Sequence, residues 1–254
     1  MASRPPRRPA SVRDRGAIAE QEPAAELPNL PLLDDALDHP EIERKPTWRG
    51  WIHTGMFPLA IAAGIVLIVL AEGAAAKVSS AVFMASSLLL FGVSAVYHRF
   101  NWSPKVKAVF RRLDHANIFL LIAGTYTPLS VNALPLPEGA ILLALVWGGA
   151  LLGIGFRVLW LSAPRWSYVP LYLLLGWAAV LYVVPLVRFD WVAMILVGVG
   201  GLAYTTGALF YGFKRPNPWP GRFGFHELFH TCTVIAFLCH WTAILLIVRH
   251  PLGW

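Results

Sequence analysis

The stretch WIHTGMFPLAIAAGIVLIVLA, Trp51–Ala71, decides the fold. It contains no Asp, Glu, Lys or Arg. A helix rises about 1.5 Å per residue, so about 20 apolar residues reach across the hydrocarbon core of a bilayer. This stretch has that length and no charge to keep it in water.

Six more stretches downstream repeat the pattern, at roughly Ser79–Tyr97, Ala116–Val131, Ala140–Phe156, Tyr168–Val187, Trp191–Phe213 and Phe225–Val248. The third is the shortest and carries Gly124, Thr125, Tyr126, Thr127 and Pro128. A polar, proline-bearing membrane helix faces its neighbours, which satisfy the backbone groups that proline frees. The whole chain is 57% hydrophobic and 14% charged, where a soluble domain carries about 25% charge. Residues 47–254 therefore read as an all-α membrane protein, a seven-transmembrane helix bundle. Residues 1–46 differ: they are rich in Pro, Ala, Arg, Asp and Glu without an apolar period. They read as a disordered cytoplasmic tail, with no apolar core of a cleavable signal peptide.

Lys and Arg in the connecting loops set the orientation. One side holds Arg44, Lys45, Arg49, Arg99, Lys105, Lys107, Arg111, Arg112, Arg157, Arg165, Lys214, Arg215 and Arg222, thirteen in all; the other holds Lys77, Arg188 and Arg249. The bias places the N-terminus in the cytoplasm and, with an odd number of spans, the C-terminus outside. Trp51, Trp102, Trp166, Trp191, Trp219 and Trp254 lie near the expected helix ends, where aromatic belts form. The location that follows is the cell membrane, crossed many times.

The net charge of +7 does not point to nucleic acid, because it lies in these loops and no recognition module accompanies it. Cys232 and Cys239 fall in one helix about 10 Å apart, too far for a disulfide.

Ionisable residues in or beside membrane spans are costly and invite a functional reading. Here they are His53, His98, Asp114, His115, His226, Glu227, His230 and His240. His226 and His230 are spaced i, i+4 and share a helix face. Neutral imidazole is the commonest metal ligand, and two on one face bind zinc when a third ligand arrives from elsewhere. His98, at the inner end of span two, is that candidate. Asp114 opens span three, and Ser94 lies one turn before His98 on the same face. The topology puts all of them at one depth, on the cytoplasmic side. Three histidines leave one tetrahedral position open, the catalytic rather than the structural pattern. Water held there becomes a nucleophile near neutral pH. Asp114 would serve as its base, and Ser94 as a hydrogen-bond donor to a ligand histidine, to Asp114 or to an oxyanion. Blander readings stand beside these: interfacial histidines, an Asp114 ion pair with Arg111 or Arg112, and Ser94 as a small packing residue. His226-Glu227-Leu228-Phe229-His230 also spells HExxH, the metalloprotease motif in which Glu is the base. Neither a third ligand pattern of that class nor a path for a peptide accompanies it, and Glu227 reads as a solvated carboxylate at headgroup level.

Taken together, Ser94-Ala95-Val96-Tyr97-His98, Arg112-Leu113-Asp114-His115-Ala116-Asn117-Ile118, Ala123-Gly124-Thr125-Tyr126-Thr127-Pro128 and Gly224-Phe225-His226-Glu227-Leu228-Phe229-His230 resemble the bacterial hemolysin III family. That family belongs with the progestin and adiponectin receptors and is similar to the alkaline ceramidases. The resemblance spans roughly residues 48–248. It implies seven helices and an intramembrane zinc near the cytoplasmic face, held by His98, His226 and His230. It further implies Asp114 at the zinc-bound water and Ser94 behind the ligands. His240 matches a histidine further along the last helix, about 21 Å deeper than His226 and out of reach of the metal. The resemblance fails before His53, where Pro46 and Arg49 replace an acidic residue and an asparagine.

The function expected is that of a zinc-dependent hydrolase of a lipid amide, with membrane lipid as its partner. The alternative is a receptor-like sensor or lipid-homeostasis protein in which zinc braces the helices. A pore-forming cytolysin fits less well, since the chain could not be soluble before insertion and has no polar stripe to line a wide channel. A transporter fits poorly because paired repeats are missing.

Overall fold

The computed structural model describes residues 46–252. Apart from Pro46, the expected tail lies outside the described residues, as does Trp254. Eight α-helices follow one another: α1 (Trp51–Leu70), α2 (Ala74–Arg99), α3 (Pro104–Ala133), α4 (Glu138–Leu159), α5 (Arg165–Gly176), α6 (Val183–Phe189), α7 (Trp191–Phe213) and α8 (Phe225–Val248). A tight 3-10 turn, Ala178–Tyr182, joins α5 to α6. Among the described residues there is no β-strand.

Six helical stretches are long and apolar enough to cross a membrane: α1, α2, α4, the α5–α6 pair over Arg165–Phe189, α7 and α8. The third expected span, α3, is not among them. It is 30 residues long, opens with Lys105, Lys107, Arg111, Arg112 and Asp114, and later carries Asn117, Thr125, Thr127 and Asn132. This polarity is tolerated because α3 is interior, in contact with α2, α4, α5 and α8. Two of its polar side chains bond neighbouring helices. Asn132 donates to the Pro128 carbonyl at 2.8 Å and to Ser79 Oγ at 3.0 Å, and Trp147 Nε1 donates to Thr127 Oγ1 at 3.1 Å. At the α2–α3 crossing a Cβ on Gly124 would stand 2.0 Å from Ser86 Oγ, so only glycine fits. The outward faces of α1, α4 and α7 carry exposed Leu59, Ile65, Leu151, Leu152, Ile195 and Leu202, the surface that suits lipid.

The expected fifth span is not one helix. It breaks between Gly176 and Val183. A break inside hydrocarbon leaves backbone groups that water cannot reach. One side chain of α3 serves both sides of it: the Tyr126 hydroxyl donates to the Gly176 carbonyl at 2.7 Å and accepts from the Ala179 N–H at 2.8 Å. Trp177 Nε1 adds a bond to Thr205 Oγ1 on α7 at 3.1 Å.

The two ends of the bundle are tied differently. At one end, Glu72 N–H bonds the Val248 carbonyl and Leu252 N–H bonds the Asn132 carbonyl. At the other, residues 46–50 lie across the loop that precedes α8, with Thr47 N–H on the Gly221 carbonyl and Trp48 N–H on the Arg222 carbonyl. The histidines gather at this second end.

Candidate metal centre

Three helices deliver the site. The last turn of α2 brings Ser94 and His98, both buried. The first third of α3 brings Asp114, and the first turns of α8 bring His226 and His230. One ligand atom from each of His98, His226 and His230 lies within 4.8 Å of the others, an arrangement that could hold a metal ion. His98 Nε2 and His226 Nε2 stand 3.2 Å apart. Two nitrogens on a tetrahedral zinc, each at about 2.0–2.1 Å, are separated by about 3.3–3.4 Å. The donor set and its spacing therefore fit zinc. The i, i+4 spacing on α8 does what its sequence suggests: the His226 and His230 rings face the same way, with centroids 4.7 Å apart.

Asp114 Oδ2 lies 3.8 Å from His98 Nε2, on a side chain that is 15% exposed. The Ser94 hydroxyl stands beside this carboxylate, close enough to interact with it.

Glu227 is not the solvated carboxylate that the sequence suggested. It is 1% exposed, and both oxygens are engaged. Arg49 Nε donates to Oε1 at 2.6 Å, and the Gly224 N–H donates to Oε2 at 2.8 Å, capping the first turn of α8. Asn217 Oδ1 accepts from the neighbouring Phe225 N–H at 3.0 Å. Glu227 is thus held between Arg49 and the start of α8, a structural setting that the HExxH spelling does not suggest.

Sequence reasoning gave no role to His53. Its ring stacks on His230 with centroids 3.9 Å apart and planes 4° from parallel. Only the packing of α1 on α8 reveals this. His115 turns to another network, between the Arg111 carbonyl at 2.7 Å and the Tyr211 hydroxyl at 3.0 Å. His240 is buried, and its Nε2 donates to the Val197 carbonyl at 3.2 Å.

A cavity of about 100 Å³ reaches the cluster. His53, Ser94, Asp114, His226 and His230 line its head, and apolar side chains of α3, α5 and α7 line most of the rest. A second cavity between the broken α5–α6 segment and α7 shares Tyr126, Trp177 and His240 with it.

Comparison with known proteins follows the same contour. A family model described as Haemolysin-III related matches residues 42–241. Hemolysin-3 of Bacillus cereus is 36% identical over 161 residues, covering 62% of this chain and 73% of its own length. The Hemolysin-3 homolog of Bacillus subtilis (strain 168) is 34% identical over 161 residues, 62% of this chain and 75% of its own. The heptahelical transmembrane protein ADIPOR2 of Oryza sativa subsp. japonica is 27% identical over 183 residues, 64% of this chain and 79% of its own.

Proposed function

Because the chain belongs to the haemolysin-III related family, a family of multi-pass membrane proteins, we propose that its histidine cluster serves a zinc-dependent hydrolase of a membrane lipid amide. The observation that carries this is the clustering of His98, His226 and His230 with a carboxylate, Asp114, whose Oδ2 lies 3.8 Å from His98 Nε2 and which lines one cavity with His226 and His230. Seven crossings, with the N-terminus in the cytoplasm, complete the proposal. His98 ends α2 while Asp114 and His226 begin α3 and α8, so α2 runs opposite to both. The charge bias puts that shared end inside.

Bound zinc would supply a Lewis acid for the amide carbonyl and lower the pKa of its water. The protein's part is placement and proton handling. His98, His226 and His230 are the proposed ligands. Asp114 Oδ2 would accept a proton from the attacking water and return it to the amine nitrogen as the C–N bond breaks. Ser94, donating to Asp114, would keep that carboxylate aimed. The apolar wall of the cavity would hold the hydrocarbon part of the substrate and exclude bulk water.

Metal analysis of the full chain in detergent is the first test. Wild type should hold about one zinc per chain, and His98→Ala, His226→Ala and His230→Ala should each lose it. Release of fatty acid from a short-chain ceramide, abolished in the same variants, would complete the case. Wild type without stoichiometric metal would overturn the reading. The cluster also ties α2 to α8, as a bracing zinc in a receptor-like protein would. Full metal with no release from any lipid amide would favour that second reading.

A further inference from the structure

Residues 46–50 touch both helices that carry the histidines. On α8, Arg49 reaches Glu227, the residue beside His226. Thr47 and Trp48 bond the backbone of Gly221 and Arg222 in the loop that leads into it. On α2, Gly50 lies against His98 itself: a Cβ at position 50 would stand 2.8 Å from His98 Cβ, and Gly50 has φ +81, a conformation that glycine adopts freely. The Arg99 guanidinium lies over the Trp51 ring at 4.1 Å, a second link to the end of α2.

We infer that residues 47–50 are a latch across the metal-bearing ends of α2 and α8, and that Arg49 is a positioning residue that fixes His226 through Glu227. The inference rests on the metal reading above.

His98 and His226 stand at the ends of two different helices, with their Nε2 atoms 3.2 Å apart. Glu227 joins the start of α8 to Arg49 with one oxygen and closes the helix N-terminus on Gly224 with the other. Arg49 is one residue from Gly50, which rests on His98. A short run of backbone thus spans the gap that a metal would span, from the cytoplasmic side. Remove the guanidinium and a carboxylate that is 1% exposed loses its counter-ion. It must then turn toward water or toward the histidines, and the first turn of α8 moves with it. The latch covers the site on that side, while the cavity approaches through the helices.

The test is the zinc affinity of the full chain in detergent, measured by competition with a chromophoric chelator, together with the visible spectrum of the cobalt-substituted protein. Arg49→Ala should bind zinc 10–100-fold more weakly, the size of effect seen when groups behind metal ligands are lost, and should shift the cobalt bands. Arg49→Lys should recover part of the affinity, since an ammonium supplies charge without the planar fork. The Arg49→Ala/Glu227→Ala pair should be no weaker than Glu227→Ala alone, because the two act as one unit. Gly50→Ala, which adds one methyl group beside His98, should weaken zinc without touching the ion pair. It carries the test if Arg49→Ala does not fold. Zinc affinity and cobalt spectra unchanged in Arg49→Ala and Gly50→Ala, with metal present in wild type, would overturn the latch and leave the metal site standing. Wild type without metal would overturn both.

Discussion

Two carboxylates flank the histidines, one at the start of α3 and one at the start of α8, and their surroundings assign them opposite work. Glu227 has a guanidinium on one oxygen and a helix N-terminus on the other. Asp114 has a serine hydroxyl and a histidine edge 3.8 Å away, and it faces the cavity. The first is tied into the fold on both oxygens; the second lines the cavity. By letters alone the order reverses, for Glu227 completes a known catalytic spelling and Asp114 completes none. What decides is whether the protein's own donors already saturate the group.

The contrast can be broken by substitution. Asp114→Asn should show the largest effect: release of fatty acid from a short-chain ceramide falls 10²–10⁴-fold, the span for loss of a general base, while zinc content and melting temperature in detergent hold. An equal loss from Glu227→Gln would erase the distinction. Next is Arg49→Ala, which strands the buried Glu227 charge. Removing one partner of a buried pair costs about 3–5 kcal/mol. Because the Arg49 side chain is 21% exposed, the lower end, about 3 kcal/mol, is expected, read as a fall in melting temperature larger than that of Asp114→Asn. Smallest is Ser94→Ala, which removes one hydrogen bond to a charged group, worth about 1.5–3 kcal/mol in a protein interior. Turnover should drop by about tenfold to a hundredfold with metal affinity within a few-fold of wild type. A loss of zinc in this variant would move Ser94 from Asp114 to the ligands.

The fold and the histidines were legible in the sequence for a plain reason: both leave one-dimensional traces. Runs without charge mark helices that meet lipid, and i, i+4 spacing marks a shared face. His98 could be joined to His226 because the loop charges fix which helix ends lie together. The polar α3 was harder, since its composition answers to neighbours rather than to lipid. The rest has no local trace. Arg49 and Glu227 are 178 residues apart in sequence, and the His53–His230 stack depends on how α1 leans on α8. Nothing near Gly176 announces a broken helix, because the partner that makes the break tolerable is Tyr126 on another helix.

That tyrosine has a consequence for how the molecule meets its surroundings. The break it splints lies on a lipid-facing wall, where Trp177, Val180 and Leu181 are exposed, and the outer cavity begins there. An interrupted wall usually closes up, or collects neighbours, to hide its bare peptide groups. Here one phenol covers both edges of the gap, as a lintel holds up masonry over a window. The frame is held at both edges, and the second cavity lies beside it among mostly apolar side chains.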